Sequence, residues 1–376
     1  MQTPSRSTVH CCSEGVSWGP LRIYVFPCGH GDTIVLELPD GRWALVDCCL
    51  AKSNGTWDAF LAFAENKKID HFAIIILSHP HFDHFRGMSD LLRHFSVNGK
   101  VTYFLDGGMC ATEVVAYYHV GQRSLRRLHD AVKDLSKQGK VKYRPIGTDI
   151  WPASLAACPD VFSFVPLAPD QQEQREEVRD ALMALPAGGT FKADANDSSV
   201  VVAIRVGRGG GAQCALLTAD AEDGLDLALK NWVDYCSTKE WDCSFSMLKI
   251  PHHGSSSSQS KRLPEMRRQD GKATYAAVSS SLEPKYSGIP DRRVLERYLE
   301  AGWTVLSTAP RRESRVRRPN RAFEVSGTTR SMLPQESEHI ICVTLDGSGA
   351  RAFEPHASQV VIEDIMSYGT ASEVGK

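Results

Sequence analysis

FAIIILSHPHFDHFRG, residues Phe72 to Gly87, joins a run of apolar residues to a knot of titratable ones. The apolar part has strand length and three consecutive isoleucines, the composition of a strand covered on both faces. The loop after a buried strand is where α/β folds expose functional side chains. His79 and His81 stand two apart in an extended segment, so both imidazoles can lean to one side and chelate one ion. Asp83 and His84 come from the following turn and can reach a second. Imidazole with carboxylate suits zinc, and also iron, manganese or nickel. The competing reading is a surface loop that happens to hold three histidines.

Outward from this loop, short apolar runs bounded by turn residues predict strands over Leu21–Phe26, Thr33–Leu38, Trp43–Asp47 and Val101–Asp106. WDAFLAFAENKKID, residues 57–70, predicts an amphipathic helix, and a second helix is expected from about Phe85 to Phe95. Residues 111–140 read as helical and basic. A strand near Phe162–Pro166 and a charged helix in QQEQREEVRDALMAL follow. SSVVVAIRV, the glycine-rich turn GRGGGA and QCALLTAD predict a hairpin. AEDGLDLALKNWVDYC is a predicted helix, CSFSMLKI a strand, and ATYAAVS and WTVLSTA two strands separated by the helix DRRVLERYLEAG. IICVTLDGSG, Ile340 to Gly349, reads as one more strand. Two halves, each with strands and then helices, are compatible with an α/β, four-layered αββα sandwich.

The chain has 376 residues, 42% hydrophobic and 23% charged, so a sizeable packed core is feasible. A net charge of −2 gives no global field for nucleic acid or a membrane, and any such partner must be met by a local patch. There is no apolar run of spanning length and no signal-peptide core near the N-terminus, so no membrane association is expected. The eleven cysteines are odd in number and lack a CxxC spacing, which fits reduced thiols in a cytoplasmic protein. The expected organisation is a lead-in at 1–20, a hydrolase domain at 21–350 and a tail at 351–376.

His79-Pro80-His81-Phe82-Asp83-His84 matches the H-x-H-x-D-H signature of the metallo-β-lactamase superfamily. Further motifs come in the order that family uses: ALVDCC at 44–49, LLTAD at 216–220, LKIPHHGSSSS at 248–258, and a closing strand-helix-strand. CGHGDTIVLELPDG at 28–41, NDSSVVV at 196–202 and the PHHGS string together resemble the soluble hydrolase domain of competence DNA-uptake proteins of the ComEC family. The resemblance spans roughly residues 21 to 310. It implies that His79 and His81 hold one metal, Asp83 and His84 the other, that Asp220 bridges them, and that His253 completes the second site. It further implies a catalytic or phosphate-contacting role for His252. Asp47 and Asp32 would act from behind the ligands, Asp47 by orienting the metal loop. On residues alone, Asp220 reads first as a plain strand-end carboxylate, and the His252-His253 pair can be read as a solvated loop. Asp32 with Gly29 and Gly31 reads as a structural turn, His30 as a turn residue and Cys48 as packing. Two departures stand out. FSFVPLAPD, Phe162 to Asp170, has no third histidine for the first metal, and His119 and His129, in a predicted helix, are poor substitutes. Tyr286-Ser287-Gly288-Ile289-Pro290 stands where relatives often have Y-G-H-P.

The expected cofactors are two divalent metal ions, zinc first, with manganese or iron as alternatives. Such a pair activates a bound hydroxide and clamps both oxygens of a displacement. Phosphodiester hydrolysis of a nucleic acid or nucleotide is the first expectation, with Asp83 and His252 catalytic. Its support is the motif set, the six arginines between Arg311 and Arg321, among them Arg317 and Arg318 as substrate contacts, and a second basic segment from Arg123 to Arg144. The alternatives are hydrolysis of a small ester, lactone or phosphocholine-type substrate, and a binding module with a degenerate metal site. Protein partners are not legible.

Overall fold

The computed structural model describes residues 18–106, 123–145, 161–169, 196, 199–257, 260–280, 288–308, 340–346 and 349–353. The chain begins with strands β1 (Leu21–Val25), β2 (Ile34–Glu37) and β3 (Trp43–Val46), then helix α1 (Thr56–Asn66) and strand β4 (Ile74–Leu77). Helices α2 (Phe82–Phe85) and α3 (Met88–Phe95), strand β5 (Thr102–Asp106), helix α4 (Arg123–Lys137) and strand β6 (Val141–Pro145) follow. The second half holds β7 (Phe162–Ala168), β8 (Val201–Val206), β9 (Gln213–Leu217), α5 (Leu225–Lys239), β10 (Met247–Lys249) and β11 (Tyr275–Val278). It closes with α6 (Arg292–Glu300), β12 (Thr304–Ser307), β13 (Ile341–Asp346) and β14 (Gly349–Phe353).

One sheet runs β14-β13-β1-β2-β3-β4-β5-β6 and the other β12-β11-β10-β9-β8-β7. Pleating decides what each face touches, because alternate side chains point to opposite sides. In β4, Ile74 and Ile76 enter the core between the sheets, while Ile75 and Leu77 join the core beneath α1, α3 and α4. In β9, Ala215 and Leu217 face the inter-sheet core, and Cys214 and Leu216 face α5 and α6. Strands buried on both sides therefore need apolar residues at every position, which is what the unbroken IIIL run supplies. The result is the expected four-layered αββα sandwich.

The parallel strands place the loops. β3, β4, β5 and β6 are mutually parallel in one sheet, and β9, β10, β11 and β12 in the other. Their C-terminal ends deliver Asp47 and Ser78 from the first sheet, and Asp220, His252 and His253 from the second. The predicted β8–β9 hairpin is present, with Val206 opposite Gln213.

Three differences from the sequence reading have local causes. The helix expected from Phe85 to Phe95 is interrupted: Arg86 is extended and Gly87 takes φ +86°, so α2 and α3 are separate. Val141–Pro145 is a strand, and it was not expected because its alternating lysine and arginine suit only a sheet edge. Gly349–Phe353 pairs antiparallel with β13, so the boundary expected at 350 falls inside a strand. The predicted helix over 111–140 is described only from Arg123; residues 107–122, the 171–185 helix and most of the tail lie outside the described residues.

Gly87 also pins the metal-loop candidate. The backbone N–H of Leu50 donates to the Arg86 carbonyl at 2.8 Å and that of Cys48 to the His84 carbonyl at 2.8 Å. A Cβ on Gly87 would sit 2.5 Å from the Leu50 carbonyl oxygen, in a left-handed conformation. Gly87→Ala should therefore destabilise the protein by about 2 kcal/mol or more, read as a lower denaturation midpoint. An unchanged midpoint would show that the loop is not held at this point.

Candidate metal centre

Asp47, the first residue after β3, anchors the site. Its buried carboxylate accepts the backbone N–H of Ser78 at 2.7 Å and the Ser78 hydroxyl at 2.6 Å, and meets His84 Nδ1 at 2.7 Å. With Nδ1 committed to Asp47, His84 turns Nε2 inward, 3.2 Å from Asp220 Oδ2. His253, fully buried, brings Nε2 to 3.4 Å from the same oxygen and 3.7 Å from Asp83 Oδ2. One donor atom each from Asp83, His84, Asp220 and His253 lies within 4.8 Å of the others.

This group fits a cation better than it fits its own partners. His84 Nε2, His253 Nε2 and Asp220 Oδ1 are buried without a hydrogen-bond partner. Buried polar atoms left unmatched are unfavourable unless something fills their common focus. Two imidazoles and two carboxylates are the donor chemistry of zinc and of other first-row divalent ions.

Electrostatics point the same way. Burial works to raise the Asp220 pKa, but the charges of His253 and His84 hold it well below the usual carboxylate range. Burial likewise opposes ionisation of Asp83, but the facing His253 imidazole, 3.7 Å away, and the charge of His84 bring it down to about 2. Burial disfavours the charged forms of His253 and His84. Asp220 overrides it in both, lifting His253 to about 9 and His84, with help from Asp47, well above the ordinary value. The Asp47 carboxyl is itself pushed up by burial against the pull of His84 and Ser78. Protons on imidazole thus hold the place that a cation would take.

The remaining expected residues fall around this group. His79 is fully buried; its Nδ1 meets the Ser78 hydroxyl at 3.0 Å and its Nε2 meets His81 Nδ1 at 3.1 Å. The His79 and His84 rings lie 4.1 Å apart. Burial, and then the charge of His84, keeps His79 well below the ordinary histidine pKa. The structure therefore joins four of the six expected ligands in one group and pairs the other two beside it. Asp32 lies behind His253, its Oδ1 3.8 Å from His253 Nδ1. His30 lies in the turn before β2 with its ring centre 4.2 Å from that of His253 and tilted against it, and burial lowers its pKa to about 4. Cys48 is buried packing, its thiol raised well above the ordinary value by burial. His129 lies on α4 beside Asp130. Arg317, Arg318 and His119 lie outside the described residues.

Three contributors were missed. Lys249, fully buried at the end of β10, puts Nζ 2.9 Å from Asp32 Oδ2 and holds the Asp32 pKa down against burial. Ser279, after β11, donates its hydroxyl to Asp32. Glu222 brings Oε1 to 2.5 Å from His252 Nδ1. Lysine in the otherwise apolar LKIP string was the one available signal.

Backbone strain concentrates here. Asp47, Ala219, His252 and His253 have φ of 59°, 45°, 43° and 53°, left-handed values that favour glycine. Each such residue costs on the order of 1–3 kcal/mol and persists where its surroundings over-determine it. Among the described residues only Lys68 and Glu240, at helix ends, share this conformation without being glycine.

The family model of the metallo-beta-lactamase superfamily matches residues 26–154, the part that carries Asp47 and the H-x-H-x-D-H loop. No curated relative matches. Among solved structures, the chain is similar to YhfI, a metallo-beta-lactamase fold protein from Bacillus subtilis, at 13% identity, 77% coverage of this chain, 96% of that one and a TM-score of 0.40. Unliganded PDE1 from yeast matches at 10% identity over 74% of this chain and 93% of that one, with a TM-score of 0.41. A long form RNase Z from yeast matches at 12% identity over 75% of this chain and 43% of that one, with a TM-score of 0.36. Likenesses this distant carry no argument. The fold, read from the two sheets and the helices that flank them, is the four-layered sandwich of the metallo-β-lactamase type.

The raised histidines set a pH dependence. His253 moves from 6.5 to about 9 on folding without metal, so its stabilising proton is fully present below about pH 6.5 and is lost as pH rises through about 9. A cation must displace that proton. Metal uptake at pH 7 should release protons, and apparent affinity should climb between pH 6 and 9. Calorimetry in buffers of different ionisation heat measures the release. Uptake without proton release would remove His253 from the cation's contacts.

Proposed function

We propose that this protein is a metal-dependent phosphodiesterase acting on a nucleic acid or nucleotide, with two divalent ions, zinc first, held by His79, His81, Asp83, His84, Asp220 and His253. The observation that carries the reading is the buried group of Asp83, His84, Asp220 and His253, whose donor atoms lie within 4.8 Å of one another. When bound there, divalent ions supply Lewis acidity and a nucleophile at neutral pH.

The protein's own residues supply orientation. Asp83 is the one member of the group whose side chain reaches solvent, 30% exposed against 0–3% for the other three. It is placed to accept a hydrogen bond from an incoming water while the other three stay fixed behind it. Asp47, with Ser78, holds the His84 ring, and Asp32, with Lys249, backs His253. A buried and rigid surround of this kind keeps the donors in place during a displacement.

A phosphodiester is favoured by the neighbourhood. Helix α4 packs against α2, the helix that carries Asp83 and His84, and exposes Arg123, Arg126, Arg127, Lys133 and Lys137. Cations beside a metal cleft attract a polyanion and follow its backbone. The motif order resembling the ComEC-type hydrolase domain adds support for a nucleotide substrate. Among the described residues no helix is long and apolar enough to cross a membrane. Cys48, Cys49, Cys214, Cys236, Cys243 and Cys342 carry free thiols, which supports work in the cytoplasm.

A small ester or lactone is a second reading, favoured by Phe82. It lies between His81 and Asp83, is 48% exposed, and could receive an apolar substituent. Metal-loaded protein should hydrolyse bis(4-nitrophenyl) phosphate, lose turnover on chelation and regain it with zinc or manganese. Asp83→Ala should lower kcat/KM by roughly 10²–10⁴-fold. Turnover of 4-nitrophenyl acetate or a lactone without any phosphodiester turnover would replace the first reading with the second.

A further inference from the structure

We propose that Lys249 is a positioning residue of the metal centre, acting through Asp32 to fix the spacing between the donors carried by the first sheet and those carried by the second. This rests on the reading of the site as a metal centre and gives the buried ammonium a role beyond backing His253.

Asp32 lies in the turn between β1 and β2, and that turn is pressed against the metal loop. The backbone N–H of Asp32 donates to the Asp83 carbonyl at 3.3 Å, and that of Cys49 to the Thr33 hydroxyl at 2.8 Å. A Cβ on Gly31 would sit 2.6 Å from the same Asp83 carbonyl oxygen, so only glycine lets the turn come this close. The backbone of Asp32 therefore belongs to the half of the site that carries Asp83 and His84. Its carboxylate belongs to the other half. Oδ2 meets Lys249 Nζ at 2.9 Å at the end of β10, Ser279, after β11, donates its hydroxyl to Oδ1, and Oδ1 faces His253 Nδ1 at 3.8 Å. One residue thus joins the two sheets beside the donors. The separations that cross this gap are His84 Nε2 to Asp220 Oδ2 at 3.2 Å and His253 Nε2 to Asp83 Oδ2 at 3.7 Å. Donor atoms about 2.1 Å from one ion stand roughly 3.4 Å apart at the tetrahedral angle, so both are near what shared coordination needs.

Asp32 needs a cation to stand where it does. One of its carboxylate oxygens lies within 4.8 Å of a carboxylate oxygen of Asp47 and of a ring nitrogen of His84, and all three residues are buried. Two carboxylates this close and out of water repel each other and lack hydration. Lys249 is as buried as Asp32, and its Nζ also donates to the Ile250 carbonyl at 3.1 Å. Stability alone does not account for the pair, because apolar residues of similar volume often replace an interior ion pair with no loss. What the pair supplies is direction. A full charge aligned on one oxygen holds Asp32 across the gap between the sheets, where an apolar contact would leave the turn free to slide. The far side of the loop is tied separately, by the Val200 backbone N–H on the Ser78 carbonyl at 3.1 Å, so losing the Lys249 tie loosens the Asp83 side.

Zinc(II) and cobalt(II) titrations of the metal-free full chain, with thermal unfolding of each metal-free variant, test the assignment. Lys249→Met and Asp32→Asn each leave one buried charge unpaired and should lower the unfolding midpoint. The double variant leaves none and should regain most of it. Regained stability should not restore the site: the double variant should bind zinc about 10–100-fold more weakly than the wild type, with a changed cobalt absorption spectrum. If the double variant does not fold, Lys249→Gln, which keeps the reach but not the charge, carries the test with the same expected loss. Wild-type zinc affinity and an unchanged cobalt spectrum in the folded double variant, or in Lys249→Gln, would overturn the proposal and reduce the pair to charge balance, while the metal centre stands. A wild type that binds neither ion would overturn the metal reading and the proposal together.

Discussion

The structure is organised around one oxygen. Asp220 Oδ2 lies 3.2 Å from His84, 3.4 Å from His253 and 3.9 Å from His252, in a carboxylate that is almost wholly buried. An ionised carboxylate removed from water is strongly unfavourable unless positive charge or hydrogen bonds replace its hydration. Asp32, Asp47 and Asp83 crowd the same region, so the interior must supply several positive charges to keep four carboxylates there. Lys249 supplies one permanently, to Asp32. The protons of His84 and His253 supply others, and those are the ones a divalent ion can displace.

That concentration of charge needs a rigid frame, and the sandwich provides it. Asp47, Ala219, His252 and His253 hold left-handed backbone at the ends of β3, β9 and β10. Such strain survives because the strands behind these residues are packed on both faces. Val46 and Leu217 enter the inter-sheet core, while Leu248 and Ile250 pack under α5 and α6. Hydrogen bonds from Cys48 and Leu50 to the His84 and Arg86 carbonyls bind the metal loop to the segment after β3. Asp220, His252 and His253 are therefore strand-end residues held by the cores, and His84, on α2, is held to the end of β3 through Asp47.

The same physics explains what could be read from the chain. The H-x-H-x-D-H loop was legible because its donors are contiguous and its preceding strand is apolar at every position. Asp220 and His253 were legible only through motif order, since nothing local distinguishes a strand-end Asp from a metal-facing one. The Lys249–Asp32 and Ser279–Asp32 contacts were illegible because they join residues more than two hundred positions apart. Glu222 was missed for a different reason: it lies two residues after Asp220, and only the turn between β9 and α5 carries it across to His252. The edge strands β6 and β14 escaped because edges tolerate charge and glycine, which removes the alternation that marks an interior strand.

The centre is asymmetric, and the asymmetry follows from how each imidazole is backed. Asp47 and Asp32 are fully buried; Asp47 holds His84 by a 2.7 Å contact and Asp32 faces His253 at 3.8 Å, with the Ser78 N–H on the other Asp47 oxygen and Lys249 on the other Asp32 oxygen. Glu222 is partly exposed and holds His252 from the rim, braced by Ser257, itself at the surface. Inner donors backed by buried carboxylates cannot move without opening the core. His252, backed by a surface carboxylate, can shift with only local rearrangement. A hydrolytic centre needs both kinds of behaviour: fixed charge behind the reacting group, and an accessible side where substrate enters and product leaves. Asp83, the one member of the buried group that reaches solvent, stands where these two sides meet.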